Sequence, residues 1–253
     1  MILQRTEQAD WLSNAYLIVD RPGGKGVIVD SNSVTEPLVE RVEREGTEIT
    51  HILLTHLHWD HVVGVEGLAE RFGVPVLAHP ICAAELGEKV SATIDDGDVI
   101  TSGELRIEAM HTPGHCADHL ALLVDGTDCL TADVLFKGTV GGTRGPGATG
   151  FEDLRSSIMD RLMKLPPATR IHPGHREPST IGTEWESNPF VRVWRGLDEE
   201  GSEPCTVGPQ DVDRAEATLV LWAPDYDGGN KAWVRFADGE DAVVGGSQVR
   251  RGA

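Results

Sequence analysis

Apolar positions along the chain come in short blocks whose period changes from two to that of a helix and back. Residues 15–20 and 26–30 are apolar stretches flanking Arg21-Pro22-Gly23-Gly24-Lys25, which predicts two strands joined by a turn. Residues 35–45 switch to helical spacing. Leu38, Val39 and Val42 share one face, Pro37 suits a first turn and Gly46 marks the end. Residues 51–55 are nearly all apolar, as expected of a strand covered on both faces. Residues 65–72 read as a helix and 75–78 as a strand. Further strands are predicted at 105–110, 120–124 and 128–131, and a helix at 151–165. There Ile158, Leu162 and Leu165 share a face and Pro166-Pro167 stops the run. A short strand, 169–171, follows. Strands alternating with helices predict an α/β domain.

The character changes near residue 198. Asp198-Glu199-Glu200-Gly201-Ser202-Glu203-Pro204 is charged and carries Gly and Pro, so 198–205 reads as a linker between a domain at 1–197 and an appendage at 206–253. In the appendage, residues 217–222, 231–236 and 241–244 look like strands separated by Asp/Gly turns. A small all-β unit of this length is marginal alone and should dock on the main domain. Its strand pattern is similar to that of SH3-like or Tudor-like barrels. Trp222 and Trp233 are accordingly read as packing residues, with an exposed aromatic binding face as the alternative.

Charge narrows the function. Against 22 Lys and Arg stand 41 Asp and Glu, a formal net charge of −19, which argues against a nucleic acid or an anionic membrane as partner. The first residues lack the basic start and apolar stretch of a signal peptide, and no apolar run approaches bilayer length. Cys82, Cys116, Cys129 and Cys205 are scattered without a C-x-x-C pair, which favours reduced thiols and a cytoplasmic setting.

Candidate chemistry concentrates in Thr55-His56-Leu57-His58-Trp59-Asp60-His61, directly after the apolar strand. Four side chains with nitrogen or oxygen lone pairs lie within six positions. His56, His58 and Asp60 can point one way from an extended segment, with His61 turned towards a neighbouring point as a helix begins. Two ligand clusters so close together suit a two-metal centre.

These residues resemble the T-H-x-H-x-D-H signature of the metallo-β-lactamase fold superfamily. Thr112-Pro113-Gly114-His115, Leu130-Thr131-Ala132-Asp133 and Ile171-His172-Pro173-Gly174-His175 resemble its later ligand motifs, in the same order. The resemblance covers roughly residues 1–197. It implies a four-layer αβ/βα sandwich there, ahead of the all-β appendage that the strand pattern predicts. It also implies one metal held by His56, His58 and His115, a second by Asp60, His61 and His175, and Asp133 bridging them. The ions expected are two divalent metals, zinc foremost, with iron or manganese as alternatives. His51, His79 and His111 are read as structural, His119 and His172 as neighbours of the ligands, and Cys116 as a small buried thiol.

Within the superfamily the chain is similar to short bacterial glyoxalase II-type thioester hydrolases, in residues 135–141 and in Pro178-Ser179-Thr180-Ile181-Gly182-Thr183-Glu184 with Asn188-Pro189-Phe190. Gly142 stands where that group commonly has an arginine, and Arg144 lies two residues on. Lys137 and Arg144 are the expected substrate-binding residues. Asp60 is expected to orient a hydroxide shared by the metals, and the substrate is a small acyl-thiol or ester. Two alternatives remain on this scaffold. One is a lactone or ester hydrolase. The other is a persulfide dioxygenase using a single iron on His56, His115 and Asp133. A third places the function in the β tail.

Overall fold

The computed structural model describes residues 1–209 and 213–252; residues 210–212 and 253 of the predicted appendage lie outside the described residues. Two compact units emerge. The first comprises Met1–His111, Asp118–Ala132 and His172–Arg176, and the second Thr112–Ala117, Asp133–Ile171 and Glu177–Ala253.

In the first unit the strands Ile2–Glu7, Asn14–Val19, Lys25–Val29, Glu48–Leu53, Val76–Ala78 and Ala92–Thr93 lie side by side in that order. The first three pair antiparallel, and the last three are added in parallel. Parallel neighbours need crossovers, and the Glu36–Glu45 and Val65–Phe72 helices provide two of them. Both helices end on a glycine with positive φ, Gly46 at 66° and Gly73 at 65°, a conformation that costs a side chain-bearing residue more.

Alternation along the strands explains the packing. Ala15, Leu17, Val19, Ile28, Ile52 and Leu54 join Leu38, Val42 and Leu68 of the helices in one core. Tyr16, Ile18, Val27, Val29 and Leu53 face the opposite way. They meet Leu105, Ile107, Leu120, Leu122 and Leu130 of the antiparallel strands Leu105–His111, Leu120–Val124 and Asp128–Ala132. The expected two-sided burial of residues 51–55 is thus met, with helices over one face and a second sheet over the other.

The second unit contains the hairpin of Leu135–Phe136 and Thr139–Val140, the helices Phe151–Ser156, Ile181–Ser187 and Pro189–Trp194, and an antiparallel sheet. The predicted 151–165 helix is one helical run whose pitch changes: α to Ser156, a wider π turn over Ser157–Arg161 and a tighter one over Leu162–Lys164. In the sheet the order is Asp241–Gly245, Asn230–Phe236, Ala215–Pro224, Glu203–Val207, Val249–Arg251. Glu203–Val207 begins inside the stretch whose charge suggested a linker, because Cys205 and Val207 alternate into the sheet's core. Trp222 packs partly buried against that same core. Trp233 is buried instead beside Phe151 and Trp194, with ring centroids 4.8 and 6.5 Å away. The C-terminal sheet therefore docks on the helices of its own unit through an aromatic contact.

Candidate metal centre

The segment after the Glu48–Leu53 strand carries the histidine run, and Asp30 organises it from the end of the Lys25–Val29 strand. Asp30, buried and at φ 61°, accepts the Thr55 backbone N–H at 2.8 Å and the Thr55 hydroxyl at 2.8 Å. It also lies 3.0 Å from Nδ1 of His61. With the Thr55 hydroxyl donating to Asp30, Nδ1 of His56 donates to Thr55 Oγ1 at 3.0 Å. One carboxylate thus fixes two imidazoles, and this network assigns the proton to Nδ1, leaving Nε2 as the ligating nitrogen. Ser31 and Asn32 bridge to Val62 and Val63, which anchors the short Trp59–Val62 helix carrying Asp60 and His61. The His58 ring sits edge-on to His56 at 4.8 Å.

His175 reaches the same unit's cluster from the last ligand motif. Its Nδ1 donates to the Trp11 carbonyl at 2.9 Å, and Ser13 bridges to it. The preceding loop is held by Asn14, whose amide donates to the Pro173 carbonyl at 2.8 Å and the Arg176 carbonyl at 2.9 Å, and by the Tyr16 hydroxyl, 2.6 Å from the Pro173 carbonyl. Nε2 of His61 and Nε2 of His175 then lie 3.5 and 3.6 Å from the same Asp60 oxygen. Ligand atoms about 2.0–2.2 Å from a tetrahedral zinc lie about 3.3–3.6 Å apart, so this spacing fits a shared divalent ion. Such a triad of one carboxylate and two neutral imidazoles is a donor set that zinc or iron accepts.

The second unit holds a smaller pair with the same spacing. Nε2 of His115 is 3.5 Å from Asp133 Oδ2, and Nδ1 of His115 donates to the Gly142 carbonyl at 3.0 Å. Two glycines permit this. A Cβ on Gly114 would lie 2.3 Å from Cα of Leu154, and one on Gly141 would lie 2.0 Å from the Asp133 carbonyl oxygen. The first lets the segment bearing His115 press against a helix; the second lets the backbone at Gly141 pass close over Asp133.

Lys137 is exposed in the hairpin turn, whose Gly138 N–H donates to Glu184 at 2.8 Å. Arg144 pairs with Glu240 at 2.9 Å and covers the Phe236 ring at 4.6 Å. His172 pairs with Asp128 at 2.8 Å, and the His119 ring lies 5.3 Å from that of His56. His79 and His111 stack at 4.6 Å, and Nδ1 of His79 accepts the Ile81 N–H as a helix cap. Burial, followed by the charge of His111, holds His79 below its ordinary 6.5; burial also lowers His51. The Cys82 and Cys129 thiols are pushed up to about 12, mainly by burial, which makes them poor nucleophiles at neutral pH.

Sequence reasoning missed Asp30, Asn14 and Tyr16, which position ligands without resembling them. The one available signal for Asp30 was a charged residue ending an apolar strand. It also missed an aromatic rim: Trp11 and Trp59, 57% and 60% exposed, meet edge to face at 6.1 Å.

The sequence model of the family described as "Metallo-beta-lactamase superfamily" matches residues 9–175. A hydroxyacylglutathione hydrolase of Bradyrhizobium sp. (strain ORS 278) is 35% identical over 164 residues, 63% of this chain and 61% of that protein. Among solved structures, ETHE1 from Myxococcus xanthus superposes with a TM-score of 0.69 at 26% identity, over 76% of this chain and 85% of that one. TTHA1623, solved in a di-iron-bound form, superposes with a TM-score of 0.62 at 32% identity, over 74% of this chain and 99% of that one.

Proposed function

Because the chain belongs to the metallo-β-lactamase superfamily and carries its fold, we propose that it is a dinuclear metallohydrolase that cleaves small acyl thioesters. The observation that carries the reading is the convergence of His61 and His175 on one oxygen of Asp60 at a spacing that suits a shared ion. By the family pattern, His56, His58 and His115 would hold one metal and Asp60, His61 and His175 the other, with Asp133 available to both. When bound, the metals supply Lewis acidity that acidifies water and polarises the acyl oxygen.

The chain's own residues do the remainder. Asp60 orients the attacking water, since its carboxylate faces the Nε2 atoms of two imidazoles that are themselves tied to Asp30 and to the Trp11 carbonyl. A thiolate leaves without needing much protonation, so no further acid is required. Lys137 is exposed and offers a cation to an anionic end of the substrate; Arg144, paired with Glu240, is the second cation proposed for this role. Thioester cleavage is favoured over lactone cleavage by the likeness to the hydroxyacylglutathione hydrolase. The likeness to ETHE1 supports, as a second reading, persulfide oxidation at a single iron on His56, His115 and Asp133.

A panel of thioesters, lactones and persulfides, the last followed by oxygen uptake, separates these readings. Thioester turnover that falls by at least ~100-fold in Asp133→Ala, together with lost metal, is the expected result. Oxygen uptake with persulfide and no thioester turnover contradicts it.

A further inference from the structure

The matched family region ends at residue 175, ahead of the C-terminal sheet, yet that sheet reaches towards a ligand by hydrogen bonds within the second unit. Val243 lies on Asp241–Gly245, an edge strand of the sheet. An edge strand leaves backbone groups unpaired on its outer side unless something covers them. Thr143 covers this one. Its N–H donates to the Val243 carbonyl at 2.9 Å, and its hydroxyl accepts the Val243 N–H at 2.9 Å. Thr143 and Val243 are both buried.

Gly142, one residue earlier, gives its carbonyl to Nδ1 of His115. The other end of the same loop is tied down as well: Ala117 N–H donates to the Gly147 carbonyl at 2.8 Å, and Thr149 N–H to the Gly114 carbonyl at 3.2 Å. The loop is therefore clamped between the segment bearing His115 and the edge of the sheet, with Arg144 lying on Phe236 and Glu240 as a further tie. A partner of this kind fixes a ligand's tautomer and ring orientation, and its loss typically weakens metal binding 10- to 100-fold.

We propose that Thr143 is a positioning residue for His115, and that through it the C-terminal sheet sets the metal affinity of the site to which His115 belongs. The inference rests on reading His115 as a metal ligand. It gives the sheet a role distinct from partner binding: the backbone of an edge strand acts on a ligand two hydrogen-bonded steps away.

The test uses the full chain and its Thr143→Val and Thr143→Ser variants. Zinc affinity is measured by chelator competition, the spectrum of cobalt(II)-loaded protein is recorded, and Tm is taken without metal. Thr143→Val should lose about tenfold or more in affinity for one of two ions and alter the cobalt spectrum, while Thr143→Ser, which keeps the acceptor oxygen, should restore both. Thr143→Ala removes the acceptor without adding a methyl group and repeats the measurement if the valine variant does not fold. Wild-type metal affinity in Thr143→Val, with only the metal-free Tm lowered, overturns the inference alone. A wild-type chain that binds no divalent ion overturns the metallohydrolase reading and this inference with it.

Discussion

His61 and His115 are both proposed ligands, and both donate from Nδ1, but they are supported in different ways. His61 leans on Asp30, a carboxylate at the end of the strand next to the one that precedes the histidine run. That support is charged and shared with Thr55, and through Thr55 with His56. His115 leans on a neutral backbone carbonyl, that of Gly142, in a loop held in turn by strand Asp241–Gly245, about a hundred residues further along. Support built from a carboxylate in the same sheet needs little else of the fold. Support built from a loop needs whatever holds the loop, which here is a sheet beyond the matched family region.

The hardest test of that contrast is Trp233→Ala. If the sheet is anchored by the contact of Trp233 with Phe151 and Trp194, truncation should cost about 3–5 kcal/mol and show as a large fall in Tm. A change within ~1 kcal/mol would mean that the sheet is held by other contacts, and the chain of support would lose its base. Next is Asp30→Asn, which keeps the size but removes the charge that accepts from Thr55 and His61. It should weaken metal binding by about 10- to 100-fold and affect thioester turnover in proportion. Unchanged affinity in titration calorimetry would show that Asp30 is only a strand terminator.

The smallest effect expected lies outside both ligand sets. Burial and the neighbouring charge of His111 lower the pKa of His79 in the folded chain. The unfolded chain therefore takes up the proton first as pH falls. The stabilising contribution is complete above about pH 6.5 and is lost as pH drops through the lower folded value. Tm measured from pH 8 to 5 should be level at first and then decline, with a shallower decline in His79→Gln. Equal slopes in the two proteins would assign the acid sensitivity elsewhere.

How far the sequence could be read follows from the same contrast. The helix Glu36–Glu45 was legible because Pro37, an apolar face and Gly46 stand in order within a dozen residues. The motif from Thr55 to His61 was legible for the same reason: four donors lie within six positions. The Pro80–Leu86 helix was not foreseen, since it is short and its cap is a histidine in place of Ser, Thr, Asp or Asn. The wider turn at Ser157–Arg161 also left no mark on an apolar pattern that continues through it. Asp30 and Thr143 were missed because their role depends on pairings with residues 25 and 100 positions away, which no local spacing encodes. The contact of Trp233 with the preceding helices, by contrast, was anticipated from the small size of the appendage, whereas Trp222, expected to pack on the main domain as well, lies against the sheet's own core.

The central claim is that this chain holds two divalent ions with the residues its motifs supply. Elemental mass spectrometry on the 253-residue chain, purified without added metal, tests it most directly. The account predicts about two divalent ions per chain, falling in His61→Ala and in His115→Ala alike. A single iron per chain, lost in His115→Ala but kept in His175→Ala, would contradict it and move the dioxygenase reading to the front.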